Sequence, residues 1–132
     1  MALEEATIRY LESQGKGRLA TIGRDGRPQN KPVGYRYNAD LGTIDISGFN
    51  MDTSAKYKNI VTHPDVSFVV DDAIGEGAEN MRMLEIRGEA EQAVADSEPD
   101  APVSHLIRIH PRRLISWNIG DEHPGLYSYD AD

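Results

Sequence analysis

Residues 17–37 read GRLATIGRDGRPQNKPVGYRY, and this stretch decides the fold. Residues 18–22 predict a short strand, and the RDGR sequence at residues 24–27 predicts the turn that sends the chain back. The returning segment, residues 28–37, contains two prolines, and proline cannot donate a hydrogen bond to a β-ladder. The stretch therefore predicts a β-hairpin whose second strand is an edge strand or a bulged one.

The segments around the hairpin predict two helices and further strands. Apolar residues at helical spacing, followed by Gly15, predict a first helix over residues 2–14. A second helix is predicted to begin at Asp52, Thr53 or Ser54 and to end before His63-Pro64. Alternating and β-branched patterns predict strands at residues 43–47, 66–70, 81–93, 104–109 and 113–119, the last two separated by a bend at His110-Pro111.

These segments favour a mainly β protein with peripheral helices. Most connections are short, which favours antiparallel pairing, and closing six or seven strands into a barrel would remove their exposed edges. The 132 residues fit a single domain, residues 1–132. Residues 71–80, 89–100 and 119–132 contain acidic residues and no Lys or Arg, and we interpret them as solvated loops and a solvated acidic tail.

Composition excludes several classes of partner and site. Fourteen basic and 22 acidic residues give a net charge of −8, which argues against nucleic acid as the partner. No apolar run approaches the ~20 residues that span a bilayer, and no secretory signal is evident, so we expect a cytoplasmic protein with no membrane partner. The chain has no cysteine, and its four histidines lack metal-ligand spacing, so no metal site is expected. No hydrolase or dinucleotide motif is present, and we assign no catalytic residue.

The basic residues are unevenly distributed along this acidic chain. Between residues 16 and 58 there are eight basic and four acidic residues, a local excess of +4. A locally cationic surface suggests a small anionic ligand, because a cleft of one sign concentrates ions of the other sign. Charge alone leaves a second interpretation open, in which these side chains merely solvate strand faces.

Two constellations within this basic region could bind such a ligand. At the start of the second helix, Ser54, Lys56 and Lys58 combine a hydroxyl and two ammonium groups with unpaired backbone N–H groups, which is a phosphate cradle in outline. An ordinary capped surface helix would look the same. On the proline-containing strand, alternation puts Gln29 and Lys31 on one face with Val33, so this face is either a ligand wall or a decorated barrel edge.

The order of the motifs resembles that of a known family. The motifs are, in chain order, residues 17–22 (GRLATI), 25–29 (DGRPQ), 33–38 (VGYRYN), 43–48 (TIDISG), 54–60 (SAKYKNI), 63–68 (HPDVSF) and 107–117 (IRIHPRRLISW). Together they resemble the pyridoxamine 5′-phosphate oxidase-like family of FMN-binding split barrels. Within it, the chain is similar to small oxidoreductases that use the deazaflavin coenzyme F420 in place of FMN. The resemblance implies a split-barrel homodimer with cofactors in grooves at the subunit interface.

The resemblance also implies roles for particular residues. The cofactor phosphate would be bound by Ser54 and Lys56, with Lys58 adjacent and with Lys31 reaching it from the strand. The residues implied for the ring site are Gln29, Pro32 and Val33 as a wall and Ser47, Gly48 and Phe49 beneath the ring. FMN oxidases commonly have an arginine between the motif's serine and lysine, where this chain has Ala55. That departure weakens the case for FMN.

The implied activity is hydride transfer from reduced coenzyme F420 to a conjugated small-molecule acceptor of the quinone or enone type. Two alternatives stay open. One is an FMN-dependent oxidase or reductase of the same family, and the other is a non-catalytic protein that binds the coenzyme. Pyridoxal phosphate synthesis is not expected, because the basic, histidine-bearing substrate motif of that activity is not evident after Trp117.

Overall fold

The computed structural model describes residues 3–95, 103–122 and 124–131. The helices and strands are, in chain order, α1 (Glu5–Ser13), β1 (Lys16–Ile22), β2 (Pro28–Gly34), β3 (Arg36–Asn38), β4 (Thr43–Ser47), α2 (Ala55–Thr62), β5 (Asp65–Ala73), β6 (Met81–Ala95), β7 (Ser104–Trp117) and β8 (Leu126–Asp130). Short 3-10 turns at Met51–Thr53 and Ala78–Asn80 precede α2 and β6. The mainly β fold with peripheral helices is confirmed.

The strands form one antiparallel sheet that curls upon itself. Its order is β2-β1-β5-β6-β7-β4-β3, with β8 added to β7, which gives eight strands within the described residues. The two ends of this path, β2 and β3, are separated in the chain by Tyr35 alone. A single stretch of chain therefore supplies both ends of the sheet, as a split barrel requires.

Tyr35 is held where the chain passes from β2 to β3. Its ring meets the buried Phe68 ring edge to face, with centroids 5.2 Å apart. Its hydroxyl donates a 2.6 Å hydrogen bond to the carbonyl of Leu11 at the end of α1, and burial raises the pKa of this phenol to about 12. A Cβ at Gly17 would also come within 2.5 Å of the Phe68 ring and within 2.7 Å of the Val69 carbonyl oxygen, so only glycine fits there.

The predicted strand over residues 28–37 is thus broken at Tyr35, and the predicted bend at His110-Pro111 is a bulge inside one long strand. Arg87 pairs with Arg113 but Gly88 pairs with Pro111, so one extra residue of β7 is accommodated. The backbone at Gly88 approaches the carbonyl of His110 so closely that a Cβ would clash with it. The absence of a side chain at residue 88 lets the strand continue past a proline.

The prediction of a solvated tail over residues 119–132 is wrong for residues 126–131. Residues 126–130 form β8, whose alternation points Tyr127 and Tyr129 towards α1. The Tyr129 hydroxyl accepts a hydrogen bond from the Glu4 amide at 3.0 Å and lies 2.6 Å from Thr7 Oγ1. The acidic composition concealed this strand, because only alternate residues face the protein. The predicted acidic loops are also shorter, since β5 continues to Ala73 and β6 continues to Ala95.

We expect Tyr129→Phe to lower the free energy of unfolding by about 1–3 kcal/mol, because the substitution leaves the Glu4 amide and the buried Thr7 hydroxyl without this partner. Urea unfolding monitored by circular dichroism measures the effect. Tyr37→Phe is the control, since no hydrogen bond of the Tyr37 hydroxyl occurs within the described residues. Equal stability of the two variants would contradict a structural role for β8.

Asp45 is the buried charge of the barrel, at 5% exposure. It accepts hydrogen bonds from Asn38 and Thr43, both at 2.9 Å, and two at 3.1 Å from the Arg108 guanidinium. Burial alone would raise the pKa of Asp45, but the hydrogen bonds from Arg108, Asn38 and Thr43 outweigh burial and hold the pKa below its usual value. The carboxylate therefore stabilises the junction of β3, β4 and β7 in its ionised form.

We expect Asp45→Asn to destabilise the protein by about 1.5–3 kcal/mol at pH 7. Because the folded-state pKa is lowered, the contribution of the carboxylate is complete above its unfolded pKa and declines as pH falls towards the folded pKa. The difference between wild type and variant should therefore begin to shrink below about pH 4. Urea unfolding at several pH values measures it, with the exposed Asp40→Asn as control. A difference that stays constant down to pH 3 would contradict this.

Candidate functional site

Ser54 fixes the start of α2. Its Oγ accepts a 3.4 Å hydrogen bond from the Tyr57 amide and donates one of 2.7 Å to the Met51 carbonyl. Before it, Asn50 adopts the left-handed conformation, with φ of 55°, and a 3-10 turn follows. The predicted cap is thus confirmed at Ser54, and its hydroxyl proton is committed to the protein. Any ligand at this helix start would meet Ser54 as an acceptor or through backbone groups.

The two lysines of α2 lie on different sides of the helix. Lys56 and Lys58 are two residues apart, and side chains at that spacing do not face each other on a helix. Lys56 shares a side with Asn59, which is three residues further on. The structure therefore separates Lys58 from Lys56, although the sequence motif groups them.

Asn59 places this side of α2 against the β1–β2 hairpin. Its Nδ2 donates hydrogen bonds to Thr21 Oγ1 at 3.0 Å and to Gln29 Oε1 at 2.9 Å. Lys31 follows Gln29 by two residues and lies on the same face of β2. The side of the helix that carries Lys56 and the strand face that carries Lys31 are therefore brought together by these contacts.

The register of β2 with β1 shows which face of the sheet each predicted wall residue of β2 occupies. Gln29 pairs with Thr21 and Val33 pairs with Gly17, so these side chains share the inner face of the sheet. Val33 is 8% exposed and belongs to the core, so it packs the barrel and does not line an open groove. Pro32 pairs with Arg18 on the outer face, away from Gln29. The structure does not bring Gln29, Pro32 and Val33 together as one wall.

The β4–α2 turn borders a cavity of about 440 Å³. Ser47, Gly48 and Phe49 are exposed in this turn, and Phe49 is exposed to 96%. The cavity is lined by Gly48, Asn50, Met51, Asp52, Val103, Ser104 and His105. His105 Nδ1 lies 3.3 Å from the hydroxyl of Tyr57. No local sequence pattern marks His105, because its place beside α2 depends on the pairing of β7 with β4.

Ion pairing divides the basic residues into two groups. Within the part of the chain that the structure describes, seven arginines form ion pairs with carboxylates, and they are Arg9, Arg18, Arg82, Arg87, Arg108, Arg112 and Arg113. Among the described residues, no ion pair involves the other seven Lys and Arg side chains, which include Lys31, Lys56 and Lys58. These three ammonium groups therefore remain available to an anionic ligand, and two of them lie on the surfaces that Asn59 joins.

A second cavity, of about 470 Å³, lies on the outside of the sheet beside Arg87, Arg112 and Arg113. Each of these arginines is paired with a carboxylate, of Glu85, Glu89 and Asp130 respectively. Their charges are compensated, so this cavity is a weaker candidate for an anion.

Within the described residues, no group of three or more His, Asp and Glu side chains is placed to hold a metal ion. In the same residues, no helix is long and apolar enough to cross a bilayer.

Comparison with known proteins decides the family. The sequence profile of the pyridoxamine 5′-phosphate oxidase family matches residues 3–119, most of the chain. The chain belongs to this family. It is 38% identical, over 133 residues, to the 5a,11a-dehydrotetracycline/5a,11a-dehydrooxytetracycline reductase of Streptomyces rimosus subsp. rimosus, with 98% of this chain and 94% of the relative covered.

Solved structures agree with this assignment. A conserved hypothetical protein of Mycobacterium tuberculosis is similar with a TM-score of 0.68 and 26% identity, over 90% of this chain and 87% of that one. A pyridoxamine 5′-phosphate oxidase-related, FMN-binding protein of Nostoc punctiforme matches with a TM-score of 0.63 over 100% of both chains. At 14% identity the latter supports the fold alone. The predicted split barrel and the predicted oxidoreductase class are both confirmed.

The residues present fit a phosphorylated heterocyclic cofactor. Lys31 and Lys56 supply uncompensated positive charge on adjoining surfaces, and the exposed amide of Gln29 lies beside them. This donor set suits a phosphate and a flat ring that carries hydrogen-bond acceptors.

Proposed function

We propose that this protein is an oxidoreductase that uses reduced coenzyme F420 to transfer hydride to a conjugated small-molecule acceptor of the quinone or enone type. The observation that carries the proposal is the pairing of the Lys56 side of α2 with the Lys31 face of β2 through Asn59 and Gln29. The reductase relative supports the direction of the reaction, because its name specifies dehydrotetracycline compounds as substrates.

FMN is the second candidate cofactor. The FMN-binding protein of the same fold supports it. Against it stands Ala55, because the arginine that FMN oxidases commonly carry between the serine and the lysine would add a further positive charge to the phosphate site. Both cofactors carry a phosphate group and a planar tricyclic ring, so the same two surfaces would hold either one.

In this mechanism the chain's own residues bind the cofactor and orient it. Lys56 and Lys31 hold the cofactor phosphate, while the capped start of α2 offers backbone N–H groups to it. Gln29 donates from its amide to the edge of the ring. When bound, the reduced cofactor supplies the hydride, so the protein needs to position the acceptor and exclude water. We assign no side chain as acid or base.

The proposal includes a homodimer with the cofactors at the subunit interface. Phe49 supports it, because a fully exposed phenyl ring is costly in water and its turn borders the cavity of about 440 Å³. Val103, at the same cavity, is also exposed, at 60%. A second copy of the chain would cover both side chains and close the groove over the ring.

We expect Lys56→Ala to weaken binding of oxidised F420 by about 5- to 150-fold, which corresponds to about 1–3 kcal/mol for a charge-assisted contact. Fluorescence titration of the purified protein with F420, and separately with FMN, measures both affinities. Lys58→Ala is the matched control, since it removes the same charge from another side of α2 and should change the affinity less than about threefold. Equal effects of the two variants would contradict the site, and a preference for FMN would select the second cofactor.

Turnover separates an enzyme from a protein that only binds the coenzyme. Reduced F420 bound to the wild-type protein should be reoxidised by at least one of a panel of quinones, enones and dehydrotetracyclines. The return of the oxidised cofactor's absorbance measures the reaction. Binding without reoxidation by any acceptor would support the non-catalytic alternative.

We expect Phe49→Ser to shift the protein from dimer to monomer, because the substitution removes the apolar contact that the second copy would make. Sedimentation velocity at several protein concentrations measures the shift. Val61→Ser on α2, where Val61 is 67% exposed, should leave the assembly unchanged. A wild-type protein that is monomeric at all concentrations would overturn the dimer.

A further inference from the structure

The carboxamide nitrogen of Asn59 donates two hydrogen bonds to the β1–β2 hairpin. One bonds Thr21 Oγ1 on β1 and the other bonds Gln29 Oε1 on β2. A side-chain amide has one oxygen and one nitrogen, so when the oxygen accepts a hydrogen bond, the nitrogen remains free to donate to another group. In Gln29 the nitrogen that remains free to donate is Nε2.

Gly23 makes room for this arrangement. A Cβ on Gly23 would lie 2.5 Å from Gln29 Nε2 and 3.2 Å from both Gln29 Cδ and Asp25 Oδ1, so the amide of Gln29 rests against the bare backbone at residue 23. The φ of Gly23 is not positive, so the turn does not require glycine for its conformation. What glycine provides here is space for the Gln29 side chain.

Gln29 is nevertheless exposed, and within the described residues Nε2 makes no hydrogen bond. An exposed glutamine on a strand edge normally samples several rotamers, which costs binding free energy when one of them must be selected. Here one contact on Oε1 and one surface beneath the amide restrict it. The structure thus presents an N–H donor that is unused within the described residues, on the strand face that also carries Lys31.

We infer that Asn59 and Gly23 are positioning residues for the cofactor, which hold the Gln29 amide with its N–H groups directed at an acceptor atom on the edge of the bound ring. The inference rests on the proposed function, since it assumes that the ring lies against Gln29. It adds that recognition of the ring depends on the orientation of one amide, set by a helix residue that does not touch the cofactor.

A competing account is that Asn59 only fastens α2 to the barrel. Both accounts predict that Asn59→Ala loses some stability. They differ for Asn59→Asp, because a carboxylate has no N–H to offer and would instead accept from Gln29 Nε2, turning the amide around while the contact between helix and strand is kept. The two accounts also differ in whether substitution of Asn59 weakens cofactor binding only when Gln29 is present.

The test is a double-mutant cycle on the binding of F420 and of FMN. Fluorescence titration measures the affinities, and the absorption spectrum of the bound cofactor reports on its surroundings. We expect Gln29→Ala, Asn59→Ala and Asn59→Asp each to weaken binding by about 3- to 10-fold, the range of one hydrogen bond. In the Gln29→Ala background, Asn59→Ala should have no further effect on binding. The spectra of the three single variants should shift in the same way from that of the wild type.

Gly23→Ala should reproduce the binding loss of Gln29→Ala, because the methyl group would displace the amide. Thr21→Val removes the other bond of Asn59 and serves as the control, with lower thermal stability and unchanged affinity.

Each contrary result has a distinct meaning. Effects of Asn59→Ala that persist in the Gln29→Ala background would mean that Asn59 acts on cofactor binding independently of Gln29, which overturns the inference. Binding that Lys56→Ala weakens but that Gln29 and Asn59 variants leave unchanged would overturn it and leave the proposed function standing. Binding unaffected by Lys56→Ala as well would overturn both.

Discussion

The whole arrangement depends on closure of the sheet by residues 28–38, which must pair with β1 at one end and with β4 at the other. The edge-to-face contact of Tyr35 with Phe68 and its hydrogen bond to Leu11 hold the chain at the point where it changes partners. Because β2 is an edge strand that pairs only with β1, that fixed corner helps to hold the basic face of β2 in position relative to α2.

The same closure explains why the candidate site has two kinds of residue. Ser54 and Asn59 are committed to the protein, through the helix cap and the hairpin contacts, and they define the geometry. Lys31 and Lys56 have no ion pair among the described residues and provide charge to the surface. A ligand site needs both, because uncompensated charge attracts an anion but only fixed donors select its shape.

Much of this was predictable from sequence. The hairpin, the cap at Ser54, the mainly β class and the family follow from local patterns, and local patterns report local structure well. The separation of Lys56 from Lys58 and of Pro32 from Gln29 also follows from helical and strand periodicity, although the family motif grouped them. By contrast, β8, the bulge at Gly88 and the place of His105 depend on pairing between segments distant in the chain, which no local pattern encodes.

The contact between Glu4 and Tyr129 joins residues 125 positions apart. On the ribosome, α1 leaves the exit tunnel long before the strand that covers it has been translated. Thr7, which is 2% exposed in the folded protein, must stay uncovered during that interval. Docking of α1 against β8 is therefore expected to be a late step in the folding of this barrel.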